Sequence, residues 1–174
     1  INLNELKNKK VTKIDSYGKL LLIYLDNGKI IKVHFLMYGS YSINIKKKED
    51  KYIRLALKFE NGELYFYNCS VNLVDKIEKY YKDILDKDWD YKPVLEYLKK
   101  SENYICDDLL DQRILPGVGN IIKVESLFRS KIHPESISKN IPEEKLIELL
   151  KNVREFSLEF YNRRKENKRL KDIL

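Results

Sequence analysis

The chain has 174 residues, with 34 Lys plus Arg against 27 Asp plus Glu, a formal net charge of +7 and a pI near 9.1. A hydrophobic fraction of 43% supplies a core, yet no stretch approaches the roughly eighteen uninterrupted apolar residues of a membrane-spanning helix. The two cysteines, Cys69 and Cys106, and the two histidines exclude a disulfide framework and a Cys/His zinc site built from these residues alone, so no cofactor is expected within the chain.

Free thiols and a signal-free opening make the cytoplasm, in association with the nucleoid, the expected location. The basic excess favours a polyanionic partner and no membrane. The sequence opens on Ile1 instead of Met, and translation is expected to start further upstream. Residues 10–67 read as strands at 11–14, 19–25, 30–35, 41–45, 52–59 and 64–67. Asp26-Asn27-Gly28 and Glu60-Asn61-Gly62 separate apolar runs and tolerate the positive φ of hairpin turns. Along 52–59, Tyr52, Arg54, Ala56 and Lys58 alternate with Ile53, Leu55, Leu57 and Phe59, the pattern of a strand buried on one face. An antiparallel sheet packed against a second sheet follows.

From Val74 the apolar spacing turns helical, with Ile77, Tyr81, Ile84 and Leu85 on one face. A polar linker over 86–91 ends at Pro93, which suits the first turn of a helix over 93–100. Further helices are expected over 105–114, 120–130 and, after Pro142, 143–162, the last with Leu146, Leu149, Leu150, Val153, Phe156 and Phe160 on one face. The division expected is a β-sandwich part at 1–73, a connecting helix and linker at 74–92, and a helical domain at 93–174. The class is α+β, an antiparallel β-sandwich half followed by helices.

The sharpest motif is Leu110-Asp111-Gln112-Arg113-Ile114-Leu115-Pro116-Gly117-Val118-Gly119-Asn120. Glycines between two helices let backbone N–H groups approach an anion, and Asn120 adds a side-chain donor at the next helix start, which suits a phosphate. A plain helix–helix turn with an Asn cap is the alternative.

With Glu125, Leu127, Phe128, Ile132 and Pro134 added, this stretch resembles the helix-two-turn-helix element of the formamidopyrimidine-DNA glycosylase and endonuclease VIII superfamily of base-excision repair enzymes. The likeness is collinear over residues 7–162. Gly18-Lys19 within its strand pair looks like the family's Gly-Lys, and residues 34–39 look like its DNA-entering loop. Residues 64–70 lack the Asp-Pro-Arg-Arg-Phe-Gly of the formamidopyrimidine branch, so the endonuclease VIII branch is nearer. The resemblance implies that Lys19 contacts a DNA phosphate beside the lesion and supports catalysis, and that Asn120 binds phosphate. It implies also that Leu36, Met37 and Tyr38 fill the gap left by an extruded base. Leu36 and Met37 are alternatively core residues of a continuing strand. Glu125 is expected to hold active-site groups in a catalytic role, or to be an exposed helical carboxylate.

Lys123, Arg163 and Arg164 complete the expected DNA-binding set. The last two belong to a basic tail with Lys165, Lys168, Arg169 and Lys171, either a DNA contact or a solvated end. His34 and His133 are read as structural. The implied activity is a DNA glycosylase and abasic-site lyase acting as a monomer on oxidised, mainly pyrimidine, bases in damaged double-stranded DNA, through a Schiff base at an amino-terminal proline. Ile1-Asn2 stands where that Pro-Glu opening is expected, so the nucleophile is expected upstream and the chain as given is expected to be inactive. A zinc finger, present in most of the family, is expected after Leu174 if at all. The alternative is a noncatalytic DNA-binding or lesion-sensing relative of the same fold.

Overall fold

Alternation along the first half produces seven strands among the residues that the computed structural model describes, 3–166. They are β1 (Val11–Tyr17), β2 (Leu20–Leu25), β3 (Ile30–His34), β4 (Ser40–Ile43), β5 (Ile53–Phe59), β6 (Gly62–Tyr67) and β7 (Ser70–Val74). Both Asn-Gly turns form hairpins: Gly28 takes φ +81 between β2 and β3, and Gly62 begins β6 directly after β5. One sheet runs β1-β2-β3-β7 and the other β4-β6-β5, with every pairing antiparallel. Ile23, Leu25, Ile31 and Val33 of the first sheet close on Leu55 and Phe66 of the second in one core cluster that includes Cys69. Burial of each such large apolar side chain contributes about 1.5–3 kcal/mol. The sandwich is as the alternation predicts.

Strand β7 is not. The helical spacing read from Val74 overlooks Ser70–Val74, where Val71 and Leu73 pack on the core and Asn72 faces solvent. Asn68, at φ +49, turns the chain from the second sheet to the first and donates its N–H to the Tyr52 carbonyl at 3.0 Å. Asn is among the few side chains that accept this backbone conformation.

The chain divides at Glu78/Lys79 into two units. The connecting helix expected within 74–92 does not form. Asp83, Asp86 and Asp90 instead accept hydrogen bonds from the N–H groups of Leu85, Asp88 and Lys92, closing local turns that compete with a helix. Ile84 is nevertheless buried, so the periodicity reported burial and not helix. The second unit holds α1 (Lys92–Leu98), α2 (Ile105–Asp108), α3 (Asn120–Ser130) and α4 (Glu143–Lys165). The helix expected over 105–114 stops after one turn, because the next polar side chains hydrogen-bond to nearby backbone. Helix α4 begins after Pro142 and buries Leu146, Leu149, Leu150, Val153 and Phe156 as its spacing predicts, with Phe160 packed alongside.

Candidate nucleic-acid interface

Between β3 and β4 the chain turns through Leu36, Met37 and Tyr38, whose side chains are 62%, 85% and 76% exposed. The reading of Leu36 and Met37 as core residues is therefore excluded, because the strand ends at His34. Phe35 turns inward, its ring 6.2 Å from that of Phe66, and pins the base of the loop. The Gly39 N–H closes the loop on the Phe35 carbonyl at 2.7 Å, an approach so tight that a Cβ at Gly39 would stand 2.0 Å from that oxygen. Leu36 occupies φ +55, an unusual conformation for a bulky residue, and donates its N–H to His34 Nδ1 at 3.1 Å. His34 thus has the local structural role expected of it. His133 has another, accepting from the Glu135 N–H at 3.2 Å.

Lys19 sits in the two-residue turn that joins Tyr17 to Leu20, one position before the strand expected to hold it. Gly18, at φ +57, supplies the positive φ that the first place of such a hairpin turn requires. Among the described residues no carboxylate pairs with Lys19. The residue as a whole is exposed, yet its ammonium is partly withdrawn from water, and desolvation holds its pKa below the ordinary lysine value. An unpaired, incompletely hydrated ammonium is a favourable counter-charge for a phosphate.

In the second unit the glycine motif forms a tight turn that leads into α3. Gly117 takes φ +101, and the extended Gly119 precedes Asn120 without any side chain to cap the helix. The first hydrogen bond of the helix runs from the Lys123 N–H to the Gly119 carbonyl at 2.9 Å. Among the described residues the N–H groups of Gly119, Asn120, Ile121 and Ile122 meet no acceptor, and the exposed Asn120 amide makes no hydrogen bond. Free N–H groups at the positive end of a helix dipole make an anion site.

Three residues that support this unit were not identified by sequence reasoning. Gln112 bonds across the glycine turn, donating to the Leu110 and Val118 carbonyls at 2.9 and 2.8 Å and accepting from the Gly117 N–H at 3.1 Å. Arg154 of α4 donates to the carbonyls of Ile84 and, at 2.7 Å, Asp86, and lies over the Trp89 ring. The segment it clamps reaches the turn, since the Ile84 N–H donates to the Pro116 carbonyl at 3.0 Å. Buried Asp108 accepts from Tyr97, Asn103 and Ser138. Flanked by the charged Asp111 and Arg113, Gln112 carried no signal in the sequence that set it apart.

Glu125 lies half-buried on α3, where Oε1 accepts from Arg129 Nε at 2.7 Å. Arg129 also reaches Glu159 of α4 at 3.5 Å and stacks 4.6 Å from the Phe156 ring, while Glu159 holds Arg163 at 2.9 Å. Glu125 and Arg163 are thereby joined in one brace between α3 and α4. Half-buried Lys123 stands near Cys106; burial pushes that thiol up, Asp107 adds to the shift and Lys123 opposes it. Burial likewise raises Cys69, so neither thiol is an activated nucleophile. Arg164 is exposed in the last turn of α4. Ile1, Asn2, Lys168, Arg169 and Lys171 lie outside the described residues. Among the described residues no three His, Cys, Asp or Glu side chains stand together to hold a metal ion, and no helix is long and apolar enough to cross a membrane.

Comparison with known proteins agrees with this geometry. Residues 2–70 match the formamidopyrimidine-DNA glycosylase N-terminal domain, and residues 82–168 match the formamidopyrimidine-DNA glycosylase H2TH domain. Endonuclease 8-like 3 of Mus musculus is 33% identical over 159 residues, covering 85% of this chain and 26% of that protein. Formamidopyrimidine-DNA glycosylase of Mycoplasmopsis pulmonis is 35% identical over 161 residues, covering 85% of this chain and 58% of its own. The Lactococcus lactis formamidopyrimidine-DNA glycosylase, solved non-covalently bound to DNA containing an AP site, superposes with a TM-score of 0.77 at 27% identity, over 89% of this chain and 65% of that one. The chain thus spans between about a quarter and three-fifths of the length of these two curated relatives. Two of the family's domain models match in succession along one sequence, and the same architecture recurs in a solved member: the chain belongs to the formamidopyrimidine-DNA glycosylase and endonuclease VIII superfamily.

Proposed function

We propose that this chain grips damaged double-stranded DNA within a base-excision repair protein, a DNA glycosylase with abasic-site lyase activity. The observation that carries this reading is the loop at 36–38, three large apolar side chains held in solvent by a closed turn whose neighbour Phe35 is packed inward. Exposed apolar groups on a hydrogen-bonded turn beside a basic hairpin suit insertion into a base stack, where extrusion of a nucleotide costs a few kcal/mol and leaves a space to fill. Lys19 and the start of α3 would hold phosphates, and such contacts position the duplex without reading its sequence.

Lys19, Leu36, Met37, Tyr38, Asn120, Lys123, Arg163 and Arg164 form the DNA-binding set in this reading. Glu125 acts through its brace to Arg129 and keeps the phosphate-binding helix against α4. We assign the nucleophile to no residue of this sequence. Oxidised pyrimidines are the proposed substrates, supported by the endonuclease VIII-like character of residues 64–70. The test is fluorescence anisotropy with matched intact and abasic duplexes. Leu36→Ala and Met37→Ala are expected to leave binding to intact duplex unchanged and to weaken binding to the abasic one. Equal affinity of wild type and both variants for the abasic duplex would remove the support for insertion.

A further inference from the structure

The geometry points to Gln112 as the positioning residue of the phosphate site, the side chain that decides which peptide atoms the glycine turn presents to DNA. The inference deepens the DNA-binding reading above and rests on it. Both hydrogens of the Gln112 amide are used, on the Leu110 and Val118 carbonyls, and its oxygen accepts from the Gly117 N–H. Glutamate lacks the donors, lysine and arginine lack the acceptor, and asparagine is one methylene shorter.

The consequence lies in the peptide planes. In a trans peptide the C=O and the following N–H point in opposite directions. With the Val118 carbonyl drawn toward Gln112, the Gly119 N–H of the same peptide points away, and among the described residues it meets no acceptor. With the Gly117 N–H drawn inward, the Pro116 carbonyl of that peptide points outward, where the Ile84 N–H takes it at 3.0 Å. Gly117 at φ +101 permits the reversal between the two planes. A flip of the 118–119 peptide would turn a carbonyl oxygen toward the anion in place of an N–H. Gln112 thus sets the sign of the dipole at the entrance of α3, without itself touching the phosphate.

The test uses amide-resolved NMR and anisotropy on the 174-residue chain with a short abasic duplex. In the free wild-type chain the Gly117 amide is expected to resist hydrogen exchange and the Gly119 amide to exchange freely; on DNA binding the Gly119 proton should shift downfield. Gln112→Met should lose that shift and weaken binding roughly tenfold, the effect of one hydrogen bond to a charged group. Because no charge is removed, the dependence of its affinity on salt should stay as in wild type. Gln112→Glu, which keeps the size and the acceptor for Gly117, should lose the shift as well. A folded variant with wild-type affinity and an intact Gly119 shift would overturn the inference. So would a protected Gly119 amide in the free wild type, whether or not the variants fold. Asn120→Ala separates the two claims: if it leaves affinity unchanged, the phosphate reading itself fails, whereas if it weakens binding and Gln112→Met does not, only the role of Gln112 fails.

Discussion

The exposed loop depends on one residue without a side chain. Gly39 lets its backbone approach Phe35 closely enough for a 2.7 Å hydrogen bond, and that closure holds Leu36 at φ +55 with Met37 and Tyr38 beyond it. Gly39→Ala places a methyl group 2.0 Å from a backbone oxygen that has no room to retreat, since Phe35 is packed on the core. The expected result is a loss of about 1–3 kcal/mol in urea unfolding, within the range of strained single substitutions, together with a smaller preference for abasic over intact duplex. A variant as stable as wild type with unchanged preference would show that the loop is not built on this approach. Leu36, Met37 and Tyr38 themselves were visible in the sequence as an apolar run. In the sequence alone the turn that expels them stays open against a continuing strand, because nothing there shows how closely the Gly39 backbone approaches Phe35.

Among the elements, the second unit is knitted by Asp108, which takes hydrogen bonds from Tyr97 of α1, from Asn103 and, at 2.6 Å, from Ser138. Its removal leaves three donors facing a buried space, so Asp108→Ala should cost about 2–4 kcal/mol in thermal or urea unfolding, against under about 1 kcal/mol for a surface carboxylate. The turn before Gly117 carries a pH-dependent element. Hydrogen bonding from the Arg113 side chain holds the Asp111 carboxyl below the usual range, so its contribution is complete above the unfolded value, about 3.9, and is lost as pH falls through the folded one. Asp111→Asn should therefore be less stable than wild type near neutrality, with the difference closing in acid below about pH 4; a difference independent of pH would contradict the pairing. Hairpins at 26–28 and 60–62 and the face of α4 were legible because turn chemistry and periodicity are local. The false helix near Ile84 shows where local reading ends: Ile84 is buried in a segment clamped by the guanidinium of Arg154, far along the chain.

Across the whole molecule, a net charge of +7 and candidate phosphate-binding groups in both units would make the proposed affinity for DNA a function of salt. The family was legible in the sequence through the order of its motifs, and Lys19, Asn120 and the 36–38 loop are all exposed as that reading requires. Gln112 and Arg154 were not identified, since the groups they hydrogen-bond are backbone atoms that no sequence pattern marks. Lys19 is the clearest single charge to follow, because it stands on a hairpin turn and no carboxylate among the described residues competes for it. The direct measurement is the affinity of wild type and Lys19→Ala for one abasic duplex across a salt series. Lys19→Ala is expected to bind more weakly, with a logarithmic salt slope shallower by about one unit, because one fewer phosphate is neutralised and one fewer counterion released. A folded Lys19→Ala chain with the affinity and slope of wild type would contradict the reading of Lys19 as a phosphate contact.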